Sequence, residues 1–236
     1  MPFAFIGFFL ATKSYNMEWI KLLYVVLCMV FARSAAMGFN RYIDRDIDKE
    51  NERTSKVREI PNGTITAQNA LIFVIINSLL FITTTYLINP LCFALSPIAL
   101  IVILGYSFTK RFTALCHLIL GLGLGLSPIG AYLAVSGEFE LIPILFSAAV
   151  LFWVSGFDII YSLQDEQFDK TQKLHSIPVF MGKKNALQLS NVLHLISILI
   201  LAFAGTLGEF GKLYWLGFSI FCGLLIYQHT LVKHND

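Results

Sequence analysis

Long apolar runs separated by short polar segments make up almost the whole chain. Most of these runs have about 20 residues, the length that an α-helix needs to cross a bilayer. The long runs lie at about 18–39, 67–88, 90–108, 113–135, 141–163, 186–207 and 212–232. This pattern predicts an all-α, multispan membrane protein built as a bundle of transmembrane helices.

The N-terminal segment, MPFAFIGFFLAT, is apolar but differs from the other runs in length. With about eleven residues it is too short to span a bilayer. It lacks the basic start and the small-residue cleavage site of a signal peptide. We interpret it as the last part of a helix whose beginning is absent, and we treat residues 1–236 as one membrane domain, incomplete at its ends.

The composition agrees with this interpretation. Of the 236 residues, 56% are hydrophobic and 14% are charged, whereas soluble domains have roughly 25% charged residues. Four cysteines lie inside apolar runs without CxxC or zinc-type spacing, so we interpret them as small apolar packing residues. The net charge of +2 gives no reason to expect a nucleic-acid partner.

The connections between the apolar runs are of two kinds. Residues 40–66, 110–111 and 164–185 carry most of the 17 lysines and arginines, and the other connections are short and nearly free of cations. The positive-inside rule places the basic connections in the cytoplasm. An even number of spans separates the run at 18–39 from the run at 141–163, so the ends of both runs are expected on the cytoplasmic side.

Two rows of acidic residues follow these two runs. The first acidic row consists of Asn40, Asp44 and Asp48. The second acidic row consists of Asp158, Tyr161, Asp165 and Asp169. On a continuous helix, residues spaced by three or four lie along one face. The two rows, each followed by a basic loop with Pro and Gly, also form a weak internal repeat, which is a common design in membrane proteins.

An ordinary helix end does not explain such rows. Aspartate near a helix C-terminus is opposed by the helix dipole, by roughly 0.3–1 kcal/mol for each residue. An EF-hand loop is excluded as well, although Asp44 to Asp48 reads D-x-D-x-D. Lys49 stands where that loop needs Gly, and Ser55 stands where it needs Glu.

Magnesium suits the rows better, because it takes one or two carboxylates and completes its shell with waters and phosphate oxygens. We therefore predict a pair of Mg²⁺ ions that hold a diphosphate. The candidate ligands are Asn40, Asp44, Asp48, Asp158, Asp165 and Asp169. The candidate diphosphate-binding cations are Arg33, Arg58, Lys110 and Arg111.

With these residues assembled, the chain resembles the UbiA superfamily of intramembrane prenyltransferases. The NxxxDxxxD motif of that family is matched by Asn40, Asp44 and Asp48. Its DxxxD motif, preceded by a tyrosine, is matched by Tyr161, Asp165 and Asp169. The stretches FDIIYSLQDEQFD, LHSIPVFMG, NERTSKVREIPNG and GYSFTKRFT are similar to the branch that includes 4-hydroxybenzoate polyprenyltransferases and their menaquinone-pathway relatives.

The resemblance implies nine transmembrane helices, of which this sequence lacks the start of the first and all of the ninth. It also implies aspartate-bound Mg²⁺ on a polyprenyl diphosphate, an apolar tunnel open to the lipid bilayer and a small aromatic acceptor. The predicted catalytic residues are Asp44, Asp165, Tyr106 and Tyr161.

Several residues have a structural alternative. Arg33 pairs with one of the aspartates or meets an acceptor carboxylate. Tyr106 and Tyr161 stabilise an allylic cation through their ring faces or anchor the helices at the membrane interface. His117 is a packing residue or a proton-handling one. Glycines at 121 and 125 are expected to serve close helix packing and not nucleotide binding, since no strand precedes them.

We therefore predict a Mg²⁺-dependent aromatic prenyltransferase of ubiquinone or menaquinone biosynthesis, with 4-hydroxybenzoate or a naphthoate as acceptor. The expected location is the bacterial inner membrane, with both acidic rows facing the cytoplasm. The alternatives are a related transferase acting on haem, a chlorophyll precursor or a lipid glycerol, and an ion-coupled transporter. A transporter predicts acids at mid-span, whereas these acids lie at one membrane face beside basic loops.

Overall fold

A computed structural model of the chain describes residues 1–232. Lys233, a further cation that the positive-inside rule places on the cytoplasmic side, lies outside the described residues. The described part of the chain is all-α and contains no strand, which confirms the predicted fold class. Its helices are α1 (Pro2–Ala11), α2 (Trp19–Ile43), α3 (Arg45–Glu50), α4 (Glu52–Ser55), α5 (Ala67–Ile88), α6 (Pro90–Thr109), α7 (Cys116–Ser136), α8 (Leu141–Ser162), α9 (Glu166–Thr171), α10 (Ile177–Leu207) and α11 (Lys212–Leu231).

Among residues 1–232, six helical segments are long and apolar enough to cross a membrane, where the sequence pattern predicted seven. These segments are Trp19–Ile43, Ala67–Ile88, Pro90–Thr109, Cys116–Ser136, Leu141–Thr171 and Ile177–Leu207. The difference is α11, which forms a helix of 20 residues. Lys212 at its start and Gln228 and His229 near its end leave α11 without an 18-residue stretch as apolar as those of the six segments.

Two helix boundaries also differ from the apolar pattern. Helix α2 continues to Ile43, beyond the apolar run, and so includes Asn40. Helix α10 begins at Ile177, inside the segment predicted as a basic loop, and it is interrupted at Gly182, where φ is 79° and ψ is 160°. Glycine adopts positive φ without the steric cost that other residues have, which allows the helix to change direction there.

The turn between α5 and α6 is fixed by one residue, Asn89. Its backbone is extended and ends α5, while its Oδ1 accepts a hydrogen bond from the Cys92 backbone N–H at 2.8 Å and caps α6. Its Nδ2 donates to the Leu133 carbonyl at 2.8 Å. Pro90 follows as the first residue of α6, a position that needs no backbone N–H.

The chain forms two compact units. Unit 1 comprises Met1–Lys110 and Gly130–Glu138, and unit 2 comprises Arg111–Ile129 and the chain from Phe139 onward. In unit 1, α2 packs against α5 and α6. Gly38 lets α2 approach α5 closely, because a Cβ at that position would lie 3.1 Å from Val74 Cγ2. The first acidic row therefore belongs to unit 1 and the second to unit 2.

In unit 2, small residues and buried hydroxyls join the helices. A Cβ at Gly121 would collide with the Leu151 carbonyl and Ser155 Oγ, and one at Gly125 would lie 2.8 Å from the Ser147 carbonyl. These contacts confirm that the two glycines serve close packing of α7 on α8. Helix α10 packs on α8, where Ser190 Oγ donates to the Gly156 carbonyl at 2.8 Å.

Candidate active site

The first acidic row lies at a break between two helices and not on one continuous helix. Helix α2 ends at Ile43, Asp44 has φ −88° and ψ 6°, and α3 begins at Arg45. The i to i+4 bonds persist across the break, with Asp44 N–H donating to the Asn40 carbonyl at 2.9 Å and Asp48 N–H to the Asp44 carbonyl at 2.7 Å. Asn40 Nδ2 also donates to Asp44 Oδ2 at 2.8 Å. The predicted spacing therefore brings Asn40 and Asp44 into contact.

Asp48 is the buried member of the first row, with 5% of its surface exposed. Arg58 forms a hydrogen-bonded ion pair with its Oδ2, and Thr54 Oγ1 donates to its carbonyl at 2.9 Å. Burial raises the pKa of the Asp48 carboxyl above its ordinary value, while the charge and hydrogen bond of Arg58 and the charge of Arg41 oppose this rise. The structure thus places Arg58, a predicted diphosphate ligand, directly on a predicted metal ligand.

Three other arginines of unit 1 have separate contacts. Arg33 is exposed, and its Nε donates to Met37 Sδ at 3.5 Å. Within the described residues, the pairing of Arg33 with an aspartate of the first row is not observed. Arg41 forms an ion pair with Glu59 at 3.6 Å. Arg45 donates to the Tyr42 carbonyl at 2.7 Å and lies over the Tyr42 ring, 4.7 Å from its centroid.

A cavity of about 560 Å³ opens in unit 1 between α2, α5 and the loop that precedes α5. Arg41, Glu59 and Asn69 form its polar wall. Met37 and Phe73 belong to its apolar wall, and each is about half exposed. Its volume is within the usual range for a small-ligand site, and its lining is amphipathic.

Three predicted site residues lie at the C-terminal end of α6 or just after it: Tyr106, Lys110 and Arg111. Tyr106 lies in the last turn of α6 and is partly buried, and its carbonyl accepts a hydrogen bond from Thr109 Oγ1 at 2.6 Å. Lys110 is the C-cap of α6 and belongs to unit 1. Arg111 is exposed and belongs to unit 2.

The second acidic row repeats the local geometry of the first. Helix α8 ends at Ser162, a 3₁₀ turn covers Leu163–Asp165, and α9 begins at Glu166. Asp165 has φ −101° and ψ 3°, close to the values of Asp44, and each is followed by a helix of six residues. These values lie in the sparsely populated bridge region, where many active-site residues are found.

The repeat extends to the fourth residue after each junction. Asp169 is fully buried, with 0% exposed, as Asp48 is nearly fully buried after Asp44. The Leu174 backbone N–H donates to the Asp169 carbonyl at 2.9 Å, which fixes the exit from α9. Tyr161, by contrast, is 47% exposed at the end of α8. Each row therefore pairs a junction carboxylate with a buried carboxylate one turn later.

Asp158 has a partner that the sequence did not indicate. His117 Nδ1 lies 2.6 Å from Asp158 Oδ2, although the two residues are 41 positions apart. His117 is 3% exposed, and the Asp158 side chain is 28% exposed. No spacing rule relates a histidine at the start of one apolar helix to an aspartate near the end of another, so the sequence alone leaves both roles of His117 open.

The residues of the rows suit Mg²⁺ better than they suit a metal whose ligands are all protein side chains. Within residues 1–232, no three His, Cys, Asp or Glu side chains are grouped as a metal cage. Mg²⁺ rarely uses such a cage, since it is held by one or two carboxylates together with waters and substrate phosphates. The pairs Asp44–Asp48 and Asp165–Asp169 supply oxygen ligands of that kind.

Sequence comparisons match the chain to one family. The model of the UbiA prenyltransferase family matches residues 1–236. The chain is 31% identical to the 4-hydroxybenzoate octaprenyltransferase of Paraburkholderia phytofirmans over 227 residues, covering 92% of this chain and 75% of that protein. It is 32% identical to the 4-hydroxybenzoate octaprenyltransferase of a Shewanella species over 214 residues, covering 90% of this chain and 74% of that protein.

Solved structures show the same fold. A UbiA homolog from Aeropyrum pernix superposes with a TM-score of 0.90 at 30% identity, covering 98% of this chain and 86% of that one. A UbiA homolog from Archaeoglobus fulgidus bound to DMAPP and Mg²⁺ superposes with a TM-score of 0.75 at 20% identity, covering 98% and 84%. Together with the six apolar helical segments and the family match, these likenesses show that the chain is a multipass membrane protein of the UbiA prenyltransferase family.

Proposed function

We propose that this protein transfers a polyprenyl group from a polyprenyl diphosphate to the ring of 4-hydroxybenzoate, in quinone biosynthesis. The observation that carries the proposal is the repeated acidic junction, in which Asp44 and Asp165 have similar backbone angles and each is followed, four residues later, by a buried aspartate. The choice of acceptor is supported by relatives with the name 4-hydroxybenzoate octaprenyltransferase, whose sequences the chain covers to about three quarters.

The donor and the metal follow from the chemistry of the rows. UbiA homologs from Archaeoglobus fulgidus, about 20% identical to this chain, bind DMAPP or GPP together with Mg²⁺. We infer that the rows of this protein serve as Mg²⁺ ligands for a prenyl diphosphate. The ligands proposed are Asn40, Asp44, Asp48, Asp158, Asp165 and Asp169. Bound Mg²⁺ would withdraw electron density from the diphosphate and weaken its bond to C1 of the prenyl group.

Arg58 has two partners in this proposal. In the structure its guanidinium neutralises the buried Asp48 carboxylate. A divalent cation on Asp48 would replace that charge, and the Arg58 fork would then be available to the diphosphate, which it suits by geometry. Arg33, Lys110 and Arg111 are the further cations that we assign to the diphosphate.

The transfer itself breaks the C1–O bond and forms a carbon–carbon bond to the acceptor ring. Diphosphate leaves with the bonding electrons, and the ring loses one proton to restore its aromaticity. We assign the faces of Tyr106 and Tyr161 to the allylic cation that develops at C1, since aromatic faces attract cations. Exclusion of water by the apolar helices would protect this cation from hydrolysis.

We further propose that both acidic rows face the cytoplasm of a bacterial cell, in the inner membrane. The support is the distribution of cations, since residues 40–66, 110–111 and 164–185 carry most of the lysines and arginines. A polyprenyl donor could then reach the protein from the bilayer.

The test uses membranes that contain the protein, labelled geranyl diphosphate, Mg²⁺ and one aromatic acid at a time. We expect a labelled product with the mass of geranylated 4-hydroxybenzoate, and we expect chelation of Mg²⁺ with EDTA to remove it. A product formed only with a hydroxynaphthoate would contradict the proposed acceptor. Absence of product with every acid, while the protein is present in the membrane, would contradict aromatic prenyl transfer.

A further inference from the structure

His117 uses both ring nitrogens in contacts with other segments of unit 2. Nε2 accepts a hydrogen bond from the Ile177 backbone N–H at 3.3 Å, so it carries no proton. In the neutral ring the proton is then on Nδ1, which lies 2.6 Å from Asp158 Oδ2. His117 therefore donates to Asp158 and accepts from Ile177.

These two contacts fall at the first residue of the second acidic row and just beyond its last residue. Asp158 is the first carboxylate of the row, and Ile177 begins α10 directly after the segment that carries Asp165 and Asp169. His117 itself is in the first turn of α7. One imidazole thus connects α7 to both ends of the segment that includes the row.

The surroundings of His117 hold the same segment. Cys116 Sγ donates to the His175 carbonyl at 3.5 Å. Ile177 is 4% exposed and belongs to a core cluster, against which Ala114 and Leu118 of the neighbouring segment pack. The position of the ring is therefore set by buried, packed parts of unit 2.

We propose that His117 is a positioning residue for the second acidic row. By its hydrogen bond to Asp158, His117 orients that carboxylate toward a Mg²⁺-bound diphosphate. This inference rests on the proposed function. The bond to His117 engages Oδ2, and the partly exposed carboxylate retains an edge for a ligand. Carboxylates that bind metals are commonly oriented by a hydrogen-bonded neighbour, and loss of that neighbour costs about 10- to 100-fold in metal affinity or activity.

Another buried histidine provides the comparison. His194 is 2% exposed and also uses both nitrogens, with Nδ1 2.7 Å from His229 Nε2 and Nε2 3.1 Å from the Trp153 carbonyl. Neither contact involves a carboxylate. His194 is therefore a control for the general effect of replacing a buried, hydrogen-bonded histidine in unit 2.

Two substitutions separate the two bonds of His117. The amide nitrogen of His117→Asn falls near the place of Nδ1, so this variant keeps the donor to Asp158 and loses the acceptor for Ile177. The amide of His117→Gln falls near the place of Nε2, so this variant keeps the acceptor and loses the donor. A purely structural role does not distinguish the donor from the acceptor, whereas positioning of Asp158 requires the donor.

The experiment measures binding of labelled geranyl diphosphate to the full chain in detergent across a Mg²⁺ titration, together with thermal unfolding. We expect His117→Gln to raise the Mg²⁺ concentration for half-maximal binding about tenfold, and His117→Asn and His194→Asn to raise it much less. Equal shifts for His117→Asn and His117→Gln, or no shift for either folded variant, would overturn the inference. If the wild-type chain shows no Mg²⁺-dependent binding, the proposed function itself is wrong, and the inference falls with it.

Discussion

At the scale of residues, the most informative positions are Asp44 and Asp165. Both have bridge-region backbone angles and both stand where an apolar helix gives way to a short one. At each junction the residue with non-helical backbone angles is the aspartate itself, so its side chain lies at the boundary between two helices. Both junctions therefore combine a carboxylate at the helix boundary with a buried carboxylate four residues later.

Arg58 provides a test at the same scale. In Arg58→Ala the KM for the prenyl diphosphate should rise several-fold while the KM for the aromatic acceptor changes little, because the guanidinium meets Asp48 and, in our proposal, the diphosphate. Steady-state kinetics with each substrate varied in turn would measure both constants. Lys56→Ala, at an exposed position in the same loop, is the control. Equal increases in both KM values would indicate that Arg58 supports the loop only.

Much of the site at residue scale was predictable, because spacing by four identified both rows. The breaks at Asp44 and Asp165 were not predictable, since a spacing of four residues is the same in sequence whether or not the helix is interrupted. At Asp44 the i to i+4 bonds persist across the break, and at Asp165 a 3₁₀ turn joins the two helices. The contact of His117 with Asp158 was not predictable either. It joins two helices through tertiary packing, which a single sequence does not report.

At the scale of elements, helix packing depends on small residues. Gly121 faces the Leu151 carbonyl and Ser155 of α8, whereas nothing lies within 4 Å of a Cβ built at Gly130 of the same helix. Apolar helices have no hydrophobic drive to associate inside a lipid bilayer, so close contact and interhelical hydrogen bonds carry the association.

Gly121→Ala should therefore destabilise the protein by about 1–3 kcal/mol, since the added methyl group overpacks the interface of α7 and α8. Gly130→Ala should leave the stability nearly unchanged or raise it slightly. Thermal unfolding of both variants in the same detergent would measure the difference. Equal melting temperatures for the two variants would show that the close approach at Gly121 has no energetic weight.

The elements were largely predictable, because apolar runs of about 20 residues are typical of membrane-spanning helices. The conversion of the basic segment at 164–185 into α9 and the start of α10 was not predicted. The polar residues of this segment are typical of a loop. The segment is helical because buried polar side chains such as Glu166 have hydrogen-bond partners in the folded chain; Glu166 accepts a hydrogen bond from Lys170 at 2.6 Å.

At the scale of the whole molecule, the distribution of charge predicts its orientation. The loop around Gly63 is rich in cations, whereas residues 137–140 contain none. An accessible reporter inserted at Gly63 should therefore be found on the cytoplasmic side, and one inserted at Gly137 on the opposite side. Both glycines have positive φ and lie in connections between helices, where insertions are better tolerated than within helices. Reporters that locate to the same side would contradict the orientation.

The central claim is that the carboxylates at the two helix junctions support prenyl transfer. The most direct measurement is the yield of labelled, prenylated 4-hydroxybenzoate from membranes with equal amounts of wild type, Asp44→Asn, Asp165→Asn and Asp46→Asn. Asp46 is the matched control, because its side chain is 82% exposed and lies two residues from Asp44. We predict that Asp46→Asn retains nearly the full yield and that each junction variant loses at least about 100-fold, as expected when charge stabilisation at a transition state is removed. Near wild-type yield from Asp44→Asn or Asp165→Asn would contradict the account.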